Sequence, residues 1–230
     1  MMNEIDTAKP KSDTLAAALA RHRVELPPDQ IAALEQYAAR LWDWNQRLNL
    51  TRHTTFEKFV ARDVIDSVQL ANLLEAHERV LDVGTGGGVP GVVIAILRPD
   101  VKVVLCESVA KKAKAVTSIV AEAGIAAQVH HARAEALLDK QRFDSLLIRA
   151  VAPLAKLLTW FKPHWDQIGR LLVIKGPNWV EERGEARHRG LFKGLQLRKR
   201  ATYPLAGSDS KSVVLEIKLA QDAEITAEDD

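Results

Sequence analysis

The stretch Val80-Leu81-Asp82-Val83-Gly84-Thr85-Gly86-Gly87-Gly88-Val89-Pro90-Gly91 is the part of this sequence best equipped for chemistry. An apolar run that reads as a buried strand enters a glycine-rich turn. Pro90 falls where a helix would begin, a position that tolerates its missing N–H. Glycines let the backbone bend tightly and let a ligand approach without a Cβ in the way. Amides exposed at a helix start favour an anionic group. Residues Gly86 to Gly91 satisfy the dinucleotide pattern G-x-G-x-x-G, but in a late register, three residues after Val83. The string Asp82-x-Gly84-x-Gly86-x-Gly88 instead starts its glycines at the strand tip, which favours S-adenosylmethionine, with the carboxylate as the anion. Glu107 ends the next apolar run, 23 residues beyond Gly84. There it can accept hydrogen bonds from both hydroxyls of a ribose, in a nicotinamide enzyme as well. A tight turn that needs glycine only for packing is the plainer alternative.

Such a loop needs a sheet to hold it. From Arg79 onward, β-rich runs at 79–84, 101–107, 127–131, 143–149 and 169–175 alternate with helical stretches near 91–98, 109–123, 135–140 and 153–166. Apolar strands alternating with helices predict a parallel sheet covered on both faces, an α/β fold. Strand-like runs at 195–203 and 212–219 predict a hairpin at the sheet edge, with at least one antiparallel strand. In an open parallel sheet, ligands bind outside the carboxyl ends of the strands. That places Arg133-Ala134-Glu135 and Arg149-Ala150 beside the glycine loop, with a solvated surface charge as the alternative for either arginine.

Helical patterning precedes the sheet. It begins at Asp13, with Leu15 and Leu19 on one face, and breaks at Pro27-Pro28. Asp29 then opens a helix in which Ile31, Leu34, Ala38, Leu41 and Leu48 recur at three- and four-residue steps. A third segment runs from about Phe56 to Leu74. The expected organisation is a disordered start (1–12), helices packed on the main domain (13–78), the α/β domain (79–220) and an acidic disordered tail (221–230).

Composition narrows the class. With 47% hydrophobic and 27% charged residues among 230, the chain reads as an ordinary globular protein. Its apolar runs are too short to cross a bilayer, and residues 1–13 carry no signal-peptide core. The single cysteine, Cys106, allows no internal disulfide, lies in an apolar run and fits a reducing cytoplasm. The seven histidines show no metal spacing, and the adjacent His130 and His131 would point to opposite faces of a strand. The net charge of +2 hides an asymmetry, because residues 221–230 carry −5 and leave +7 on the rest. Seven basic and three acidic residues fall between Glu181 and Arg200. Arg183, Arg187, Arg189, Lys193, Arg198, Lys199 and Arg200 there, with Lys175, are candidates for contact with a nucleic-acid backbone. Of Trp42, Trp44, Trp160, Trp165 and Trp179, the last is the candidate for stacking on a base.

Taken together, the residues resemble the glucose-inhibited division protein B family, the bacterial guanine-N7 methyltransferases of 16S ribosomal RNA. The likeness runs from about Leu34 to Lys218. It is carried by Trp44-Asn45, Asn49-Leu50-Thr51, Asp66-Ser67, Asp82 through Gly91, Glu107-Ser108 with Lys111-Lys112, Arg133-Ala134-Glu135, Arg149-Ala150-Val151-Ala152 and Lys175-Gly176. No single piece is specific, but their order and spacing are.

The resemblance implies the class I S-adenosylmethionine-dependent methyltransferase fold, a Rossmann-like, mostly parallel sheet of seven strands. It also implies action on 16S rRNA or a small ribosomal subunit precursor, with guanine 527 of the 530 loop as the expected target; a monomer is expected. Gly84 and Val89 would contact S-adenosyl-L-methionine, with Gly86 and Gly88 in the same loop, and Ala134 and Glu135 would lie along its adenine. Arg149 would complete the site, or stand with Lys175 near the substrate phosphates. Two positions depart from the family: Val89 where Phe or Leu is usual, and Asp63 where His is usual. The second would place an anion on a face expected to meet RNA.

N7 carries a lone pair and no proton, so no catalytic acid or base is expected. The sequence agrees in what it lacks. Arg149-Ala150-Val151-Ala152-Pro153 replaces the Pro-Pro-aromatic motif typical of exocyclic-amine methylation, and Cys106 falls one strand too early to be a nucleophile. A methyltransferase of another substrate and a nicotinamide oxidoreductase remain the alternatives.

Overall fold

The structure, a computed structural model, describes residues 13–204 and 209–220. The segments expected to be disordered, 1–12 and 221–230, lie outside the described residues. Among the described residues, seven strands form one sheet: β1 (Arg79–Val83), β2 (Lys102–Glu107), β3 (Ala127–His131), β4 (Phe143–Arg149), β5 (Ile168–Lys175), β6 (Leu195–Pro204) and β7 (Lys211–Leu219). Their order is β3-β2-β1-β4-β5-β7-β6. The first five run parallel, β7 is antiparallel to β5, and β6 is antiparallel to β7. The chain works outward from β1 in one direction and then in the other. The carboxyl ends of β1 and β4 therefore flank the switch point, where α/β sheets place ligands.

Each central strand is apolar on both faces, so two cores form. Val80, Leu105, Leu147, Leu172 and Val214 face one way, against α2 (Pro28–Asn45), α4 (Ile65–Ala71), α5 (Gly91–Leu97) and α6 (Ala110–Glu122). Leu81, Val104, Leu146, Leu171 and Leu215 face the other, against α7 (Ala134–Leu138), α8 (Leu154–Phe161) and α9 (Trp179–His188). The leading helices join the first core. In α1 (Leu15–Arg21) the residues Leu15, Ala18 and Leu19 are buried, and in α2 so are Leu34, Tyr37, Ala38 and Leu41. Leu48, placed on the α2 stripe by spacing, lies beyond the helix end at Asn45. Asn45 Oδ1 turns the chain there by accepting from Leu50 N at 2.8 Å and Thr51 N at 2.9 Å.

Two elements were not legible in the sequence. The third helical segment is not uniform: α3 (Phe56–Lys58) passes into a π-turn, Phe59–Val64, before α4. The basic stretch after Lys175 begins with α9, which buries only Ala186 and so carries no apolar stripe. Among the described residues, no helix is long and apolar enough to cross a membrane.

Candidate cofactor and acceptor site

Asp82 organises the loop after β1. It is fully buried, and its Oδ2 accepts from Thr85 Oγ1 at 2.6 Å and from Gly91 N at 2.9 Å. One carboxylate oxygen thus ties the start of the turn to the start of α5. Burial pushes the Asp82 carboxyl up to about 6, despite the two hydrogen bonds that favour the anion. Gly91 makes the closeness possible, since a Cβ there would stand 2.7 Å from Asp82 Oδ2. Gly84 has φ +65°, which favours glycine. It is exposed at the strand tip, where a Cβ would stand 3.3 Å from Val151 Cγ2.

Glu107 ends β2 beside this loop, as its position predicts. Its Oε2 accepts from Gly86 N at 3.0 Å and its Oε1 from Val109 N at 2.8 Å. Each oxygen keeps lone-pair capacity. Gly88 is buried and Val89 half-buried on the same turn. Ala134 and Glu135 open α7 after β3, with Ala134 buried and Glu135 half-buried. The exposed glycine tip, the buried carboxylate beside it and the α7 start fit a nucleoside with an attached amino acid.

Across Val151 lies a cleft of about 500 Å³ at the ends of β4 and β5, lined by His53, Arg62, Asp66, Arg149, Lys175 and Glu182 among others. Arg149 is not a free cation there. Its Nη2 donates to Asp63 Oδ1 at 2.7 Å and its Nη1 to Asp66 Oδ2 at 3.0 Å. Burial opposes the charge on Arg149, and the two aspartates more than offset it, raising its pKa. His53 Nδ1 lies 2.9 Å from Asp63 Oδ1, and the Tyr203 hydroxyl donates to Asp66 Oδ1 at 2.7 Å. Burial, then Asp66, raises the Tyr203 pKa. Asp63 therefore corrects its expected placement on an RNA-facing surface: it is 1% exposed and holds Arg149 from below.

Lys175 also differs from the other basic candidates. Its Nζ lies 2.7 Å from Ala152 O and 2.7 Å from Glu182 Oε2, inside the cleft. The remaining candidates lie on α9, the turn after it and β6. Arg187, Arg189, Lys193, Arg198, Lys199 and Arg200 are exposed, and Arg183 is half-buried. Trp179 is half-buried, with Arg183 5.3 Å and Lys199 5.9 Å from its ring centre. Cys106 is buried, and burial pushes its thiol up to about 12. Among the described residues, no cluster of His, Cys, Asp or Glu could hold a metal. Sequence spacing gave no sign of His53, Arg62, Glu182 or Tyr203 as site residues.

A sheet of this order, with a glycine loop after β1 and an acidic residue ending β2, defines a class I S-adenosylmethionine-dependent methyltransferase fold. An O-methyltransferase from Bacillus cereus, solved in complex with SAH, has the same fold at a TM-score of 0.56 and 16% identity, covering 88% of this chain and 97% of that one. The chain belongs to a particular family of that class, rRNA small subunit methyltransferase G, whose model matches residues 30–203. The ribosomal RNA small subunit methyltransferase G of Rhodopirellula baltica is 52% identical over 188 residues, 82% of this chain and 81% of that one. Its counterpart in Desulfitobacterium hafniense is 33% identical over 214 residues, 90% of this chain and 89% of that one.

Proposed function

We propose that this chain methylates N7 of a guanine in a loop of 16S ribosomal RNA, presented on the RNA or on a small-subunit precursor. The observation that carries the reading is that Val151, in the lining of the cleft, comes so near the Gly84 tip that a Cβ on Gly84 would stand 3.3 Å from it, which sets an acceptor cleft beside the glycine loop. Gly84, Gly86, Gly88 and Val89 would receive the amino-acid end of the methyl donor, Glu107 its ribose, and Ala134 and Glu135 its adenine. Arg149, committed to two aspartates, would shape the wall between the two ligands.

When bound, S-adenosylmethionine supplies a sulfonium methyl that is already electrophilic. On transfer the N7–C bond would form as the S–C bond breaks, releasing S-adenosylhomocysteine, and positive charge would pass from sulfur to the purine. No proton moves, so the chain needs neither acid nor base. Its contribution is alignment, which can supply roughly 7–11 kcal/mol. The buried, protonated Cys106 fits this scheme, since it offers no nucleophile. N7 is hidden in the deep groove of an RNA helix and open in a loop, which favours a loop substrate.

Labelled S-adenosylmethionine offered with small and large ribosomal subunits from a strain lacking this activity tests the assignment. Label is expected in the RNA of the small subunit alone. Equal labelling of both subunits, or of neither, would refute it.

A further inference from the structure

Three arginine or lysine side chains line the acceptor cleft, Arg62, Arg149 and Lys175, beside His53, which lies against Asp63. Two are neutralised from within, Arg149 by Asp63 and Asp66, and Lys175 by Glu182. Arg62 is different. Its side chain makes no hydrogen bond or ion pair among the described residues, and its Nε is buried without an acceptor. Buried donors left unsatisfied are rare in folded proteins and call for an explanation. The backbone at this point is also unusual, because Arg62 lies within the π-turn Phe59–Val64, a rare geometry that is frequent at functional sites. Phe59, Val60, Asp63 and Val64 of that turn are buried, leaving Arg62 as its charged residue on the cleft.

An unpaired guanidinium in a cleft built for a nucleotide could meet one of two partners. The first is the O6/N7 edge of guanine, which arginine recognises in the grooves of DNA. The reaction proposed above excludes it: a donor on N7 would occupy the lone pair that attacks. An uncompensated cation beside the ring would also oppose the positive charge the ring acquires. The second is a phosphate, whose oxygens can accept from the two Nη groups, the part of the guanidinium that is not buried, and whose charge cancels that of the arginine.

We infer that Arg62 binds the backbone phosphate of the nucleotide that is methylated. The inference rests on the proposed function, in that it takes the cleft to be the acceptor site. Arg62 thereby fixes the sugar–phosphate end of the nucleotide while the cleft walls hold the base. With Arg149 and Lys175 paired to carboxylates, Arg62 is the arginine or lysine of the cleft left to meet that anion.

The test is binding of wild type, Arg62→Met and Arg62→Lys to unmethylated small ribosomal subunits, with S-adenosylhomocysteine present, across a range of salt concentrations. Losing one phosphate contact makes the slope of log affinity against log salt shallower by about 0.7, the value for single strands. The Met variant is expected to show that change and a roughly tenfold weaker affinity at low salt. The Lys variant is expected to keep the wild-type slope and recover part of the affinity. Both should bind S-adenosylhomocysteine as wild type does, and the Met variant should melt no lower, since it sheds a buried unsatisfied donor. A wild-type slope in the Met variant, or a lowered Tm with equal losses in both variants, would overturn the inference. Wild-type methyl transfer without the slope change sinks the role of Arg62 alone. Absence of wild-type transfer sinks the proposed function, and the inference with it.

Discussion

Replacing Arg149 with methionine is expected to lower the stability of the fold by about 3–5 kcal/mol at neutral pH, the usual cost of stripping one partner from a buried ion pair. The side chain of Arg149 is 19% exposed, and the carboxylates it holds belong to Asp63 and Asp66, 1% and 3% exposed. Methionine fills similar space without a charge, so two anions would remain in an apolar setting. His53 and Tyr203 would still donate to one oxygen of each, but neither replaces the guanidinium fork. Arg149→Lys keeps the charge and loses the fork, so its loss should be smaller. Combining Arg149→Met with Asp63→Asn and Asp66→Asn removes the buried anions and should restore most of the stability. Urea titrations of these variants check the series. If Arg149→Met alone costs less than 1 kcal/mol, the aspartates do not depend on it.

The second large effect concerns pH. In the folded state the Asp82 carboxyl is pushed from 3.8 to about 6, first by burial and against the hydrogen bonds from Thr85 and Gly91. The folded state therefore holds this proton more tightly than the unfolded chain does. Below about pH 4 both states are protonated and nothing is lost. As the pH rises toward 6 the unfolded chain gives up the proton first, and stability falls. Above pH 6 both are ionised, and the full penalty, about 3 kcal/mol for a shift of this size, is in place. Asp82→Asn keeps an oxygen for Thr85 and Gly91 and does not titrate. Between pH 4 and pH 8 the stability of the Asn variant relative to wild type should thus improve by about 3 kcal/mol. Parallel stability curves for the two proteins would show that Asp82 is not the titrating group.

The sheet was readable in the sequence because its strands are apolar on both faces and its helices carry stripes. All seven strands fall within a residue or two of the runs at 79–84 through 212–219. The glycine loop and Glu107 were readable because their chemistry is local: a tight turn at a strand tip and an acid at the end of the next strand. What spacing could not show are partners that meet only through the fold. Asp63 and Arg149 are 86 positions apart, and Asp66 and Tyr203 are 137 apart. An aspartate in a polar stretch reads as a surface charge, and only the returning β4 makes it a buried counter-ion. Lys175 reads as a surface cation for the same reason, until α9 brings Glu182 against it. The helix α9 itself was hidden, because an element that buries one alanine leaves no periodic signal.

The exposed cations Arg187, Arg189, Lys193, Arg198, Lys199 and Arg200 lie along α9, the turn after it and β6, and α9 reaches the acceptor cleft through Glu182. On that continuity we propose the α9–β6 face as the path of an RNA backbone approaching the cleft. It would add a broad, salt-dependent attraction to the single phosphate contact inferred for Arg62.

The atom that receives the methyl group decides the account. Small-subunit RNA methylated by this protein would be reduced with borohydride and treated with aniline, which cuts the chain at 7-methylguanosine. Cleavage at one guanine, in a loop and only after incubation with S-adenosylmethionine, is the expected result. Transfer of label to the RNA with no such cleavage would place the methyl group on another atom, and would contradict a site that works by alignment alone on N7.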